Sequence, residues 1–198
     1  MLSGVILAAG DSTRMGSPKA LLLTRRGTPF VVSIAETFAA AGIDDIVVVT
    51  GRDHDRIAAV LAAARSTPSP RIARNSDPSR GQLSSLLTAM DVAIAPDTEA
   101  LVVTLVDIPL LTVETIERVV SAWRRTRAPI VRPVIGHRHG HPVVFDRRVF
   151  EDLRQAPLDR GAKAVVRAHA AELLNVPVTD EGCLVDVDTP GDYEALSR

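Results

Sequence analysis

Apolar residues fall along this chain in two alternating rhythms. Continuous apolar runs at Val5–Leu7, "DDIVVVT" at 44–50 and "ALVVTLVD" at 100–107 have the length and composition of strands buried on both faces. Between them the spacing turns helical: residues 29–41 (PFVVSIAETFAAA), about 54–64, and Leu83–Ile94 each predict a helix, with Gly42 as the stop signal after the first. A short strand is expected at 71–74. Apolar strands alternating with amphipathic helices predict βαβ units and a mainly parallel sheet, an α/β fold.

The second half is less regular. Residues 112–126 predict a helix, and "PIVRPV" at 129–134 and "GHPVVF" at 140–145 predict strands. The short "HRHG" link between the two strands makes a hairpin, a small antiparallel element beside the parallel sheet. Helices are expected at 147–154 and 162–171, strands at 173–177 and 183–187, and a last short helix after Pro190. "STPSP" at 66–70 is the one Pro/Ser cluster, too short for a domain linker, and no internal repeat or low-complexity segment interrupts the pattern.

Composition narrows the functional classes. The 198 residues, 46% hydrophobic and 24% charged, suffice for one domain with a substantial core. A formal net charge of −1 carries no basic footprint, so no nucleic-acid partner is expected and any phosphate site must be local. Cys183 is the single cysteine, which excludes an internal disulfide or a cysteine-based cluster and fits a reducing compartment. The first apolar run is broken by Asp11 and Arg14 and lacks a basic flank. It predicts neither signal peptide nor membrane span, and a cytoplasmic location is expected.

Within that frame, "VILAAGDSTRMGSPKALL" at 5–22 stands out. A buried strand gives way to Ala8, Ala9 and Gly10, small enough for a ligand to approach the backbone. Gly10 to Gly16 can present several N–H groups in one direction, as anion-binding nests do, and Arg14 and Lys19 add positive charge. The spacing matches neither the P-loop nor the dinucleotide fingerprint.

In open α/β sheets ligands lie past the carboxyl ends of strands, and three other segments fall there. Asp107 ends an apolar run before Pro109; Mg²⁺ suits it, being typically held by one or two carboxylates plus substrate phosphates. Asp188, before Pro190, is the natural second ligand, with Asp186 able to substitute. Asp188 or Thr189 also fits a helix cap with proline at the first helical position, and the two roles are not exclusive. Gly81 and the serine pair at 84–85 open a helix where backbone donors point outward, although taken alone that stretch favours ordinary capping by Ser79 with a glycine for the turn. His137, His139 and His141 alternate, but Gly136 and Gly140 suggest a turn, which favours a solvent-facing loop over a metal site.

Taken in order over nearly the whole chain, "LAAGDSTRMGSPKALL", "GQLSSL", "VDIP", "GHPVVF", "DRGAKAVV" and "DVDTPGDY" resemble the MobA-like nucleotidyltransferases, most closely the molybdenum cofactor cytidylyltransferases. The resemblance implies a Rossmann-like doubly wound sheet and transfer of CMP from CTP to a phosphorylated acceptor, molybdopterin or a related pterin, with release of pyrophosphate. It puts Ala8, Ala9 and Gly10 beneath the nucleoside and Arg14 and Lys19 on the phosphates. Gly81 and Ser84 approach base and ribose, and Asp107 and Asp188 hold Mg²⁺. His141 with Pro142 borders the acceptor pocket and Lys163 is a further phosphate ligand, although "LDRGAK" lacks the leading glycine of that motif. Arg14, Lys19 and Asp107 are the expected catalytic residues, and a recipient molybdoenzyme is the implied partner. Guanylyltransferases of this type tend to carry glycine where this chain has Ala9, which tilts the expected base toward cytosine. The alternatives are a guanylyltransferase, a sugar- or polyol-phosphate nucleotidyltransferase, and a non-catalytic nucleotide-binding carrier.

Overall fold

The computed structural model describes residues 1–64 and 68–197, so positions 66 and 67 of the Pro/Ser cluster lie outside the described residues. Strand β1 (Leu2–Ala8) sits between two parallel neighbours, β2 (Asp45–Thr50) and β4 (Ala100–Leu105), and β3 (Arg71–Arg74) continues the parallel set beyond β2. The crossovers are α1 (Phe30–Ala40), α2 (His54–Ala64) and α3 (Gln82–Ala93). The chain winds outward from β1 through β2 to β3, then returns to start on the other side at β4. Such a reversal leaves a crevice at the carboxyl ends of β1 and β4.

Both faces of the sheet are covered, as the continuous apolar runs require. Ile6 and Ala8 of β1 pack with Phe30, Ile34 and Phe38 of α1 and Ile57 of α2 in one layer. Val5 and Leu7, pointing the opposite way, pack with Leu83, Leu86 and Met90 of α3 in the other. The doubly wound, mainly parallel arrangement is the one expected. Helix α4 (Val113–Thr126) follows, its Thr112 cap accepting from the Thr115 N–H. No described helix is long and apolar enough to cross a membrane.

The hairpin forms with a modified link. Strands β5 (Ile130–Ile135) and β6 (Arg138–His139) are joined by Gly136 and His137 alone, with Gly136 at φ +59°, as a two-residue turn demands. β7 (Val143–Asp146) continues the same antiparallel arm: Val134 faces His139, whereas Val131 faces Val144, so two extra residues are taken up between them. The break falls at 140–142. Gly140 lies so close to residue 183 that an added Cβ would stand 2.5 Å from the Cys183 carbonyl oxygen, and the His141 N–H donates to that oxygen at 3.0 Å. β7 also pairs antiparallel with β4, and β8 (Leu174–Pro177) pairs parallel with β5.

Helices α5 (Phe150–Gln155) and α6 (Ala162–Ala168) precede β8, α6 ending short of the expected 171. The strand expected at 183–187 does not form. Residues Glu181–Leu184 make a single turn of 3-10 helix because the Asp180 carboxylate accepts from the Gly182 N–H at 2.9 Å. Residues 185–188 then run extended and tie to the sheet through Val187 N–H to the Asp107 carbonyl at 2.8 Å. Helix α7 (Pro190–Ser197) returns the chain to α1: the Tyr193 hydroxyl donates to the Leu23 carbonyl at 3.0 Å and accepts from the Leu23 N–H at 3.2 Å, and its ring meets Phe30 edge-on.

Gly140→Ala should therefore destabilise the fold by about 1–3 kcal/mol, the usual cost of overpacking against backbone that cannot retreat. A urea melt showing an unchanged midpoint would disprove the close approach of 140 to 183.

Candidate active site

After Ala8 and Ala9, both buried, the chain loops through residues 10–18. Met15 and Gly16 donate to the Ser12 carbonyl at 3.0 and 3.2 Å, and the Lys19 N–H donates to the Ser12 hydroxyl at 3.1 Å. Ser12 thus folds the loop back on itself and starts the 3-10 turn Lys19–Leu21, which buries Ala20 and directs the Lys19 side chain into the crevice.

There Lys19 meets two carboxylates. Its Nζ donates to Asp107 Oδ2 at 2.9 Å and to Asp188 Oδ1, while Arg14 Nη2 donates to Asp188 Oδ2 at 2.8 Å. The second oxygen of Asp107, Oδ1, is buried and has no protein hydrogen-bond partner. Asp107 is held by its neighbours: the Val106 N–H donates to the Leu7 carbonyl at 3.1 Å, prolonging the β1–β4 pairing by one residue. Asp188 is freed for the crevice by a capping box one residue further on. Thr189 Oγ1 accepts from the Asp192 N–H at 3.2 Å, and the Asp192 carboxylate accepts from the N–H groups of Thr189 and Asp188 at 2.8 and 3.1 Å. Of the two candidate caps, Thr189 is the one used.

The electrostatics follow from this geometry. Burial alone would lower the Lys19 pKa, but hydrogen bonds and charge attraction from Asp188 and Asp107 more than reverse it, so the ammonium is held above its ordinary value. The Lys19 hydrogen bond, with Arg14 assisting, pulls the Asp188 carboxyl below its ordinary value. Asp186 goes the other way, raised by burial and by the charge of Asp107. Asp107, Asp186 and Asp188 do not converge as a cluster of three or more ligating side chains among the described residues.

The crevice opens into a cleft of about 210 Å³ whose walls include Ala8, Ala9, Gly10, Lys19, Gly81 and Asp107. Gly81, at φ +92°, links the 3-10 turn Pro78–Arg80 to α3. Ser84 lies behind this wall: its hydroxyl donates to the Gly81 carbonyl at 2.7 Å and accepts from Asn75 Nδ2 at 2.9 Å, and Ser85 is the serine that lines the cleft. Asn75, buried, organises the 75–85 segment by also donating to Ser85 at 3.0 Å. Arg52 is a further wall residue. Both follow the ends of strands, β3 and β2, where inspection of the residues past each strand would have found them.

A second, larger cavity of about 780 Å³ shares Leu7, Gly81, Gln82 and Leu105 with the cleft and contains His141 and Lys163. The three imidazoles diverge. His137 and His139 are exposed, but His141 turns inward, contrary to its expected solvent-facing placement, because residues 140–142 are drawn onto the 183 segment. Its Nδ1 lies 3.3 Å from the Val103 carbonyl, and burial keeps its pKa below the ordinary value.

A family model described as the MobA-like NTP transferase domain matches residues 4–173. A protein named nicotine blue oxidoreductase from Paenarthrobacter nicotinovorans is 34% identical over 195 residues, covering 95% of this chain and 92% of its own. One named "Probable molybdenum cofactor guanylyltransferase" from Mycobacterium avium is 29% identical over 201 residues, covering 100% and 95%. Among solved structures, Rv0371c of Mycobacterium tuberculosis H37Rv superposes with a TM-score of 0.81 at 29% identity over 98% of this chain and 96% of its own. The same protein in complex with manganese superposes with a TM-score of 0.76 at 26% identity, covering 98% and 97%.

Because the Asp188 pKa is depressed, its ion pairs contribute stability that is present above 3.8 and is lost as pH falls through the depressed value. Lys19→Met should lower the urea midpoint at neutral pH, and the gap to the wild type should close as pH falls below 3.8. A gap independent of pH would show that Lys19 stabilises through packing rather than charge.

Proposed function

The chain belongs to the MobA-like NTP transferase family, and on that premise we propose that it transfers CMP from CTP to a phosphorylated, pterin-type acceptor and releases pyrophosphate. The observation that carries this proposal is Asp107, with one oxygen on Lys19 and the other buried without a partner, beside a cleft walled by Ala8, Ala9 and Gly10. A buried carboxylate oxygen lacking a donor is costly, and hard divalent ions take such oxygens. Asp107 and Asp188 are the residues to hold Mg²⁺, and the manganese complex of Rv0371c supports a divalent ion in a protein of this fold. When bound, the ion supplies charge neutralisation at the reacting phosphates.

The side chains do the rest by position. A terminal oxygen of the acceptor phosphate, ionised at neutral pH, attacks the α-phosphorus in line, so no strong general base is required. Lys19 and Arg14 exchange their carboxylate partners for the phosphates and stabilise the charge that collects on pyrophosphate. The small residues 8–10 admit the nucleoside, with Gly81 beside it and Ser84 bracing that wall. His141, neutral because it is buried, and Lys163 hold the acceptor in the adjoining cavity. A molybdoenzyme receiving the product is the proposed partner.

A guanylyltransferase is the neighbouring possibility, in line with the relative from Mycobacterium avium. A second reading, reduction of a dye-like substrate, follows from the name of the relative from Paenarthrobacter nicotinovorans. The carboxylate pair favours transfer, since a divalent ion held by it would neutralise phosphate charge, a task that moving electrons does not require. Two incubations separate these outcomes: pyrophosphate release from CTP or GTP with Mg²⁺ and molybdopterin supports transfer, and its absence, alongside oxidation of a reduced pyridine nucleotide in a parallel mixture with an oxidised dye as electron acceptor, supports the second reading.

Asp107→Ala should abolish pyrophosphate release while leaving the melting transition in place; wild-type turnover by a folded variant would remove Asp107 from the metal site. Ala9→Gly should narrow the preference for CTP over GTP, measured as a ratio of kcat/KM values, by about 1–3 kcal/mol, the scale of discrimination by one methyl-sized group. An unchanged ratio would move base choice to the 75–85 segment.

A further inference from the structure

The larger cavity is charged very differently from the cleft it joins. Four cations line it, Arg132, Arg160, Lys163 and Arg167, against one acid, Asp159. Among the described residues none of the four pairs with a carboxylate, whereas Lys19 in the cleft is paired with Asp107 and Asp188, and Arg14 outside it with Asp188. Arg160, Lys163 and Arg167 are exposed and free to move, but Arg132 is not. It rises half-buried from β5, directly opposite Asn175 in the register with β8, and its Nε donates to Asn175 Oδ1 at 2.9 Å. A neutral amide fixes the guanidinium without cancelling its charge, and no described protein group accepts from its terminal nitrogens. His139 beside it has its pKa held below the ordinary value by partial loss of hydration and by the charge of Arg132. A cation held in one orientation with its fork unoccupied is a preorganised receptor for a planar or tetrahedral anion.

Position decides which anion. Arg132 lines the cavity and not the cleft, whereas the reacting phosphate must sit where the two join, beside Leu105 and Gly81. We propose that Arg132 binds a second anionic group of the acceptor, separate from the phosphate that attacks. The acceptor class is then a molecule with a phosphate at one end and a further anion, such as phosphate or carboxylate, at the other. This rests on the assignment of the cavity to the acceptor.

The test is calorimetric. Alkyl monophosphates and α,ω-alkanediyl bisphosphates of matched chain length are titrated into the protein with Mg²⁺ and a non-hydrolysable CTP analogue. At one chain length the bisphosphate should bind about tenfold to a hundredfold more tightly than the monophosphate, the worth of charge-assisted hydrogen bonds. Arg132→Gln should erase that advantage while leaving monophosphate affinity in place, and Arg167→Gln, which removes the same charge from an exposed position, should leave most of it. Asn175→Ala, which frees the guanidinium but keeps its charge, should reduce the advantage, and it carries the test if Arg132→Gln fails to fold. Equal losses in Arg132→Gln and Arg167→Gln, or no bisphosphate advantage at any length, would overturn the proposal. A wild-type protein that binds no nucleotide defeats the transferase assignment instead, and the first titration of the analogue reports that separately.

Discussion

The site depends on one ammonium group shared between two carboxylates. Asp107 and Asp188 belong to segments far apart in sequence, and their charges would repel at the crevice; Lys19 makes their approach favourable. Around that contact the remaining features fall into place. The strand-order reversal opens the crevice, the Ser12 turn aims Lys19 into it, and the Thr189–Asp192 capping box leaves Asp188 free to face it. The Val187–Asp107 backbone bond fixes the distance between the two acids.

The parallel core and much of the site were legible because both obey local rules. Buried runs alternate with helical periods, and Lys19, Asp107 and Gly81 all lie just past strand ends or at a helix entrance, where chemistry on this kind of sheet collects. What escaped depends on distant pieces meeting. The 183–187 run is apolar enough for a strand, but Asp180 and the approach of Gly140 convert it to a turn and a single tether. His141 reads as a loop residue from its glycine neighbours, yet the same contact pulls it inward. Ser84 and Ser85 are indistinguishable in sequence and both accept from Asn75; the hydrogen bond that Ser84 donates to the Gly81 carbonyl turns it away and leaves Ser85 to line the cleft. Arg132 lies in an ordinary strand pattern, and its isolation from any carboxylate is a property of the assembled cavity.

The two adjoining spaces divide the electrostatic labour. The cleft is nearly neutral, each cation matched by an acid, so an anion entering it must displace internal partners. The cavity is open and uncompensated, so its field reaches solvent and favours anions without any exchange. Leu7, Gly81, Gln82 and Leu105, common to both, form a largely uncharged partition between these regimes.

The clasp of Tyr193 on Leu23 gives the molecule a temporal order. During synthesis Lys19 leaves the ribosome before Asp107, and Asp107 well before Asp188, and Asp188 comes to rest only when α7 docks beside α1. A nascent chain that already has the strands β1 to β4 still has a half-finished site, with Lys19 facing a single carboxylate. Formation of the Lys19–Asp188 contact is thereby coupled to the docking of α7 on α1, and a nick between β8 and α7 would untie Asp188 from the crevice while leaving Lys19 and Asp107 in place.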